Sequence, residues 1–259
     1  MYCLDSNHIL CYLGSGTSTS EHGEIKWSDG DFFVLPATST EVIHAATADT
    51  AIYWVTDEPL LAYLGVSPNV QKFRPTVFRR EKMLAEVENI KHQPGAEHRN
   101  RLGILLGNKI TEKGTLTLTH VLWSLLNQLP AHDAQVVNYF LLIYSWNLHF
   151  FKLFSSYLLL NYAQRPHRHN SVALDLCVSS PDAGVYTLMG PELDEEGWVK
   201  DPIRCEWKSG GVFVTPPGWW HSHHNESDEA AWVLPMQDAG LYTHQRTLDI
   251  RFSTGPTKS

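Results

Sequence analysis

The sequence predicts an all-β protein built from barrels or sandwiches of short strands. Many short β-prone runs joined by turn-forming residues are typical of such folds. Helical patterns do not recur between these runs, which argues against a parallel sheet with crossover helices. The runs that follow residue 165 are 172–178, 185–189, 203–207, 212–215, 230–234 and 248–252.

The composition is that of a globular chain. Its 259 residues are 43% apolar and 19% charged, enough to bury the core of one large domain or two small ones. A net charge of −8 without any basic run argues against nucleic acid or an anionic membrane surface as a partner. The four cysteines form no CxxC pair and the N-terminus lacks a secretory pattern, which predicts a cytoplasmic protein with reduced thiols.

The first half of the chain predicts strands followed by a connecting helix. Residues 24–36 indicate a strand, a turn at Asp29-Gly30 and a second strand, and residues 51–55 indicate a third. Residues 1–22 show no clear period. Prolines, the first of them Pro59, interrupt the region after residue 56, but 79–90 has the apolar stripe of an amphipathic helix. A strongly β-prone run over 115–126 then opens the second half.

A candidate metal site lies in two stretches of the second half. His167 and His169 alternate with Arg168, so on a strand they share one face, about 7 Å apart. Two neutral imidazoles so placed can bind iron, copper, zinc or nickel. His221 follows the Pro-Pro-Gly turn at 216–218 and is the candidate third ligand. The sequence therefore predicts a metal site made by His167, His169 and His221.

We expect a single strand to carry the chain from His167 to Asp175. Its inward face would hold both histidines, then Ser171, Ala173 and Asp175, while Arg168 would point outward. Two ligands, two small residues and one carboxylate would form a pocket floor. After the third histidine, we expect His223 at the rim of the site, His224 pointing away and Asn225 shaping a turn. The tryptophans at 219 and 220 fit an aromatic pocket wall or barrel packing equally well.

These residues resemble the two motifs of the cupin superfamily. The second motif, Gly-x5-Pro-x-Gly-x2-His-x3-Asn, is matched at Gly210, Pro216, Gly218, His221 and Asn225. The first motif is matched at its His-x-His pair but lacks its usual glutamate. In this the stretch resembles the gentisate and salicylate 1,2-dioxygenases, which bind iron through three histidines. The resemblance implies a cupin fold, a double-stranded β-helix or jelly-roll barrel.

The resemblance also suggests a domain organisation. Residues 1–70 would be a partial, degenerate N-terminal cupin, in which Gly30, Pro36 and His44 loosely echo the second motif. We interpret His44 as a structural residue rather than a ligand. Residues 71–114 would form a helical linker region. Residues 115–253 would form a C-terminal metal-binding cupin, interrupted by an apolar insertion over 136–164.

The apolar insertion contains a single formal charge, Lys152, and has three interpretations. It is long enough for a membrane helix, but its asparagines and histidine are costly in hydrocarbon. A surface insertion would expose a large apolar patch. Translated non-coding sequence is our hypothesis, because Ala-Gln occurs at both 134–135 and 163–164. Peptides that join Gln135 directly to Arg165 would support a retained intron, and abundant peptides from inside the segment would contradict it.

The function implied by the resemblance is oxygen-dependent ring cleavage of a small aromatic, gentisate-like substrate. The metal would be Fe(II), with zinc, manganese and nickel as alternatives, and the partners would be the substrate and O2. The resemblance also implies a homo-oligomer assembled through barrel edges. Two other function classes stay open: another metal-dependent cupin enzyme, such as an isomerase or hydrolase, and a non-catalytic or inactive ligand-binding cupin.

Asp175 is the main departure from the dioxygenase pattern. The matching position in the ring-cleaving relatives, six residues after the second histidine, carries an arginine that pairs with the substrate carboxylate. Arginine–carboxylate pairing is strong and bidentate, whereas an aspartate would repel the same group. We expect Asp175 to contact the substrate. Either another residue holds the carboxylate, or the substrate is neutral or carries a cation.

Overall fold

The computed structural model describes most of both halves of the chain. Most of the described secondary structure is β-strand, and two short helices lie in the first half. The all-β class is thereby confirmed. The described residues are 7–67, 74–92, 102–105, 142–146, 165–227, 229–237, 242 and 245–254.

The described part of the chain before residue 93, called the first half from here on, contains seven strands and both helices. The strands belong to a four-stranded sheet, in the order β6-β1-β4-β7, and a three-stranded sheet, in the order β3-β2-β5. The predicted strands at 24–36 and 51–55 are present, and Gly30 turns the chain with a φ of +75°. The elements are β1 (Asn7–Leu13), β2 (Ser15–Ser20), β3 (Gly23–Ser28), β4 (Phe32–Leu35), β5 (Ile43–Ala46), β6 (Ala51–Thr56), α1 (Glu58–Leu64), β7 (Thr76–Phe78) and α2 (Arg80–Lys91).

The described residues from 102 onward, called the second half from here on, form two five-stranded sheets. One has the order β13-β12-β15-β10-β17 and the other β14-β11-β16-β9-β8. All pairings between these strands are antiparallel, as expected for a barrel or sandwich of short strands. The strands are β8 (Leu102–Leu105), β9 (Leu142–Trp146), β10 (His167–His169), β11 (Ala173–Ser179), β12 (Val185–Gly190), β13 (Ile203–Glu206), β14 (Val212–Thr215), β15 (Trp220–Asn225), β16 (Ala231–Gln237) and β17 (Ile250–Phe252).

The interior of each half is an apolar cluster between its two sheets. In the first half, Trp27 of the smaller sheet stacks on Phe33 of the larger one, with ring centroids 5.6 Å apart. In the second half, Cys177 and Val233 of one sheet meet Val185 and Met189 of the other. Burial raises the pKa of the Cys177 thiol to about 12, so this cysteine is held as an unreactive thiol.

A third cluster joins the two halves. Leu10, Phe32 and Val34 of the larger N-terminal sheet pack on outward-facing residues of β11 and β16. Helix α2 adds Met83 and Val87 to the same cluster, both buried as the predicted stripe requires. The helix therefore packs across both halves rather than standing apart from them.

The apolar segment 136–164 is described only at Leu142–Trp146. These residues form β9, which pairs with β16 on one side and β8 on the other. A strand at this place is incompatible with the alternative of an uninterrupted membrane helix over the segment. No helix among the described residues is both long and apolar enough to span a bilayer. The predicted strand at 115–126 and the rest of the segment lie outside the described residues, and the retained intron stays a hypothesis.

The expected single strand from His167 to Asp175 is wrong. β10 ends at His169 and belongs to one sheet, whereas β11 begins at Ala173 and belongs to the other. The chain changes sheets through residues 170–172, and Asn170 ties this corner to the segment before β17 by two hydrogen bonds. The prediction that Ser171, Ala173 and Asp175 face inward is nevertheless correct, because all three are buried.

Candidate metal centre

Three buried histidines meet at the centre of the β10–β15 pair. His167 and His221 are direct cross-strand partners, and their ring centroids are 4.1 Å apart. The ring of His169 lies 4.9 Å from that of His221. One ring nitrogen from each of the three lies within 4.8 Å of the others, so this group could hold a metal ion. The structure thus brings together the three residues that the sequence singled out.

The Pro-Pro-Gly turn fixes His221 relative to the other two. The backbone N–H of Gly218 donates to the carbonyl of His169 across 2.7 Å. Gly218 has a φ of +78°, a left-handed conformation that favours glycine. The N–H of Trp219 closes the turn on the carbonyl of Pro216 at 3.1 Å. The two motifs are therefore tied together by the backbone, independently of any ion.

Hydrogen bonds at Nδ1 determine which ring nitrogen can bind a metal. Nδ1 of His169 lies 2.8 Å from the carbonyl oxygen of Ser171, and Nδ1 of His221 lies 3.2 Å from that of Trp219. A carbonyl oxygen only accepts, so in each ring Nδ1 carries the proton and Nε2 keeps its lone pair. Such a bond to the other nitrogen is the usual way proteins orient a metal-binding histidine.

Ser171 and Gln237 support this arrangement, and no pattern in the sequence pointed to Gln237. The Ser171 hydroxyl donates to Oε1 of Gln237 at 3.1 Å and lies 3.1 Å from Nδ1 of His169. Both side chains are buried. Gln237 comes from β16 on the other sheet, so the two sheets cooperate in holding His169.

A fourth imidazole, His223, lies beside the triad. Its ring centroid is 5.7 Å from that of His221, on the same face of β15, as expected. Thr187 Oγ1 lies 2.8 Å from its Nδ1 and also accepts the indole N–H of Trp207 at 2.8 Å. The predicted place near the triad is therefore correct, but His223 is buried rather than at an exposed rim.

His224 points to the opposite face of β15, as predicted. Its ring stacks on Tyr186, with centroids 4.7 Å apart and planes 5° from parallel. Ser222 Oγ lies 2.8 Å from its Nε2. Burial lowers the pKa of His224 to about 4, an effect that the nearby Glu226 carboxylate opposes and the Arg204 guanidinium reinforces.

We expect His224 to make the protein sensitive to mild acid. In the unfolded chain, His224 has a pKa near 6.5 and binds a proton below that pH. In the folded protein, its ring stays neutral until the pH falls to about 4. Stability contributed by the neutral ring is complete above pH about 6.5 and is lost as the pH falls towards 4. The free energy of unfolding of the metal-free protein, measured by urea titration, should fall by about 2 kcal/mol between pH 7 and pH 5. The His224→Phe variant should not show this decrease. Equal losses in both proteins would contradict this assignment.

Asp175 is buried in the interior of the second half. It lies on β11 opposite Phe213 of β14, and the Thr215 hydroxyl donates to its Oδ2 at 3.2 Å. Its side chain is 2% exposed. Its negative charge contributes, after burial and Glu206, to the raised pKa of the Cys205 thiol on the other sheet. Asp175 therefore occupies the space between the two sheets that also holds the triad.

The remaining predicted residues lie on the outside or at the ends of strands. The Arg168 guanidinium lies 5.1 Å above the Trp220 ring, a cation–π contact on the outer face of the sheet. Trp219 packs against the interior cluster instead. Asn225 shapes the following turn: its Oδ1 accepts from Ser227 N, and its Nδ2 donates to the carbonyl of Glu229.

Phe252 is a site residue that sequence reasoning missed. It is the cross-strand partner of His167 on the edge strand β17, and its ring stacks on that imidazole at 5.7 Å. Its side chain is 42% exposed. An inward-facing aromatic that still reaches solvent marks the side on which the triad approaches the surface. Only the short β-prone run before residue 252 could have pointed to it.

His44 lies far from the triad in sequence and has a separate environment in the first half. Its Nδ1 is 2.8 Å from the Ser18 hydroxyl, which also accepts the indole N–H of Trp27. The only group among the described residues with metal-binding spacing is the triad of the second half. The hydrogen bond to Ser18 is compatible with a structural role, and the interpretation of His44 as a residue that binds no metal stays a prediction.

The overall fold is similar to that of solved dioxygenase structures. Salicylate 1,2-dioxygenase from Pseudaminobacter salicylatoxidans superimposes with a TM-score of 0.60 at 12% identity, covering 96% of this chain and 69% of that one. Its adduct with gentisate gives the same TM-score, 0.60, and identity, 12%, with coverages of 97% and 67%. No protein-family model matches the sequence. A search of curated proteins likewise finds no match. At this identity the likeness shows the fold alone, and it confirms the predicted cupin fold.

Proposed function

From a cupin fold with three buried, converging histidines, we propose that this protein is a metal-dependent dioxygenase. His167, His169 and His221 would hold Fe(II), and the substrate would be a small hydroxylated aromatic molecule. The observation that carries the proposal is the triad itself, whose nitrogens lie within 4.8 Å of one another. The gentisate adduct of the similarly folded salicylate 1,2-dioxygenase supports the choice of an aromatic substrate.

The donor set fits a catalytic metal. Three neutral imidazoles suit iron, and equally copper, zinc or nickel. Three protein ligands leave coordination positions open, which distinguishes catalytic from structural sites. When bound, Fe(II) would supply the electronic coupling between substrate and O2 that an organic side chain cannot provide. Among the residues that the structure describes, no carboxylate joins the three histidines in the metal-binding group.

The protein's own residues would orient the substrate and exclude water. Trp207 and Phe213 form an aromatic wall next to His223, with ring centroids 5.7 and 6.4 Å from that imidazole. Phe252 would cover His167 on the side where the triad approaches the surface. In the proposed reaction one aromatic C–C bond breaks and each of the two carbons gains one oxygen atom. Both atoms of one O2 are consumed and the ring supplies the electrons, so no external reductant is needed.

Metal analysis and oxygen uptake test the proposal. The full chain would be loaded with Fe(II) under anaerobic conditions and then mixed with O2 and a panel of hydroxylated aromatics. We expect about one iron per chain and oxygen uptake with at least one compound. Zinc or manganese retained without oxygen uptake would favour a hydrolase or isomerase. Failure to bind any metal would contradict the enzyme and leave a non-catalytic cupin.

A further inference from the structure

A phenylalanine ring lies between one histidine of the triad and solvent. Ser171 and His223, which contact the other two triad histidines, are both buried. Phe252 stacks on His167, with ring centroids 5.7 Å apart and planes 18° from parallel. His167 is 1% exposed, whereas Phe252 is 42% exposed. The covering of His167 on this side is therefore a single aromatic ring.

The backbone that carries Phe252 is held on both sides. Before it, the Asn170 side chain makes two hydrogen bonds of 2.9 Å to the segment that leads into β17. After it, the N–H of Ser253 donates to the carbonyl of Pro166 at 2.8 Å. Pairing with β10 fixes the strand between these two points. The motion that uncovers the triad is therefore a rotation of the Phe252 side chain, with the strand staying in place.

Solvent occupies part of the space around the Phe252 ring. Among the strands that the structure describes, β17 is the last of its sheet, so the ring has protein neighbours mainly on one side. Partly exposed side chains change rotamer rapidly, and phenylalanine has only two torsions to change. Stacking on His167 favours the covering position. The ring thus covers the imidazole in its preferred position and uncovers it by a local rotation.

We propose that Phe252 is a gate that controls how fast a metal ion or a small ligand reaches the triad and leaves it. A group that obstructs the path without supplying a ligand slows association and dissociation by the same factor and leaves the affinity unchanged. The inference rests on the proposed function in one respect, since it takes the triad as the place that ligands must reach. It adds the route by which they arrive.

Chemical modification of His167 in the metal-free full chain tests the gate without any ion. Diethyl pyrocarbonate acylates neutral imidazoles, and peptide mass spectrometry follows each histidine separately. We expect His167 to react at least about tenfold faster in Phe252→Ala than in the wild type, because the ring no longer obstructs the reagent. His224, whose ring stacks on Tyr186 at the opposite face of β15, is the internal reference and should keep its rate.

Two further variants show whether the ring itself is responsible. Phe252→Leu keeps an apolar side chain of smaller width, and His167 should react about threefold faster than in the wild type. The matched control is Ile203→Ala, which removes an exposed apolar side chain from β13, at the opposite edge of the same sheet. It should leave the rate at His167 unchanged. Near-UV circular dichroism verifies that each variant is folded.

The kinetics of Co(II) binding separate a gate from a merely structural contact. Stopped-flow tryptophan fluorescence follows the association of Co(II) alone with the full chain, and trapping with EDTA gives the dissociation rate. In Phe252→Ala we expect both rates to rise at least about fivefold and the dissociation constant to stay within about threefold. A ring that only orients His167 would instead speed dissociation alone and weaken the affinity.

The outcomes distinguish this inference from the proposed function. An unchanged rate at His167 in Phe252→Ala overturns the gate, as does an equal increase in Ile203→Ala or faster dissociation of Co(II) without faster association. If Phe252→Ala is unfolded, His224 reacts faster as well, and an unchanged rate in Phe252→Leu then overturns the gate. If the wild type binds no metal, the proposed function fails, and the modification rates of the metal-free chain still decide whether Phe252 guards His167.

Discussion

Replacing any one histidine of the triad by alanine is expected to remove the metal and the activity together. His167→Ala, His169→Ala and His221→Ala each leave two imidazoles, and we expect iron to fall from about one to below about 0.1 per chain after desalting. Oxygen uptake should fall by about a thousandfold or more, because the reaction depends on the bound metal. Inductively coupled plasma spectrometry and an oxygen electrode measure the two quantities on the same samples.

Alanine substitutions of two other histidines serve as controls for the three triad variants. His44→Ala changes a histidine of the first half that hydrogen-bonds to Ser18, and should leave the iron content unchanged. His223→Ala removes the fourth imidazole and should also retain iron, since the protein would keep all three predicted ligands. Thermal unfolding would show whether each variant is folded. Normal iron in His221→Ala, or iron lost equally from His44→Ala, would contradict the assigned site.

The metal site could be predicted from sequence because its geometry is local. Alternation on β10 places His167 and His169 on one face, and the glycines of the second motif are required by backbone conformation. Gly210 and Gly218 both have a φ of +78°, which other residues rarely adopt. Short-range rules therefore fix the turns before and after β14, and this strand has the predicted bounds, Val212–Thr215.

Features that depend on contacts distant in sequence could not be predicted. The change of sheet after His169 is held by Asn170, whose partners lie at residues 247 and 249. Gln237 and Phe252 also reach the site through pairing with β11 and β10. Local periodicity contains no information about these partners, which explains why the single strand from His167 to Asp175 was a wrong expectation.

In the first half, a second kind of prediction error arises, because pairing between strands that are distant in sequence overrides weak local patterns. β1 and β2 lie in residues that show no clear period, yet β1 is the central partner of β4 and β6. Helix α1 was missed because Pro59 suggested a break. Proline is tolerated in the first turn of a helix, and here it occupies that place, with Gly65 ending the helix at a φ of +67°.

Replacing Asp31 by alanine is expected to lower the free energy of unfolding strongly, because this buried carboxylate connects β4 to the start of α2. The Asp31 carboxylate, 3% exposed, accepts from Arg79 Nη1 at 2.6 Å and from the backbone N–H of Arg80 at 3.0 Å, where α2 begins. It also accepts from the backbone N–H and hydroxyl of Ser28. Alanine would leave these donors without their acceptor, and hydrogen bonds to charged groups contribute about 1.5–3 kcal/mol each.

The expected cost is about 3–4 kcal/mol in the free energy of unfolding, measured by urea titration at pH 7. Asp31→Asn keeps one carbonyl acceptor and should lose about half as much. The neighbouring Asp29→Asn breaks only an exposed pair with Arg80, about half-exposed on both sides, and should cost less than about 1 kcal/mol. Because α2 contributes Met83 and Val87 to the cluster that joins the two halves, the loss at Asp31 should loosen that junction as well. Equal destabilisation by Asp29→Asn and Asp31→Ala would show that surface charge, not the buried carboxylate, holds the helix in place.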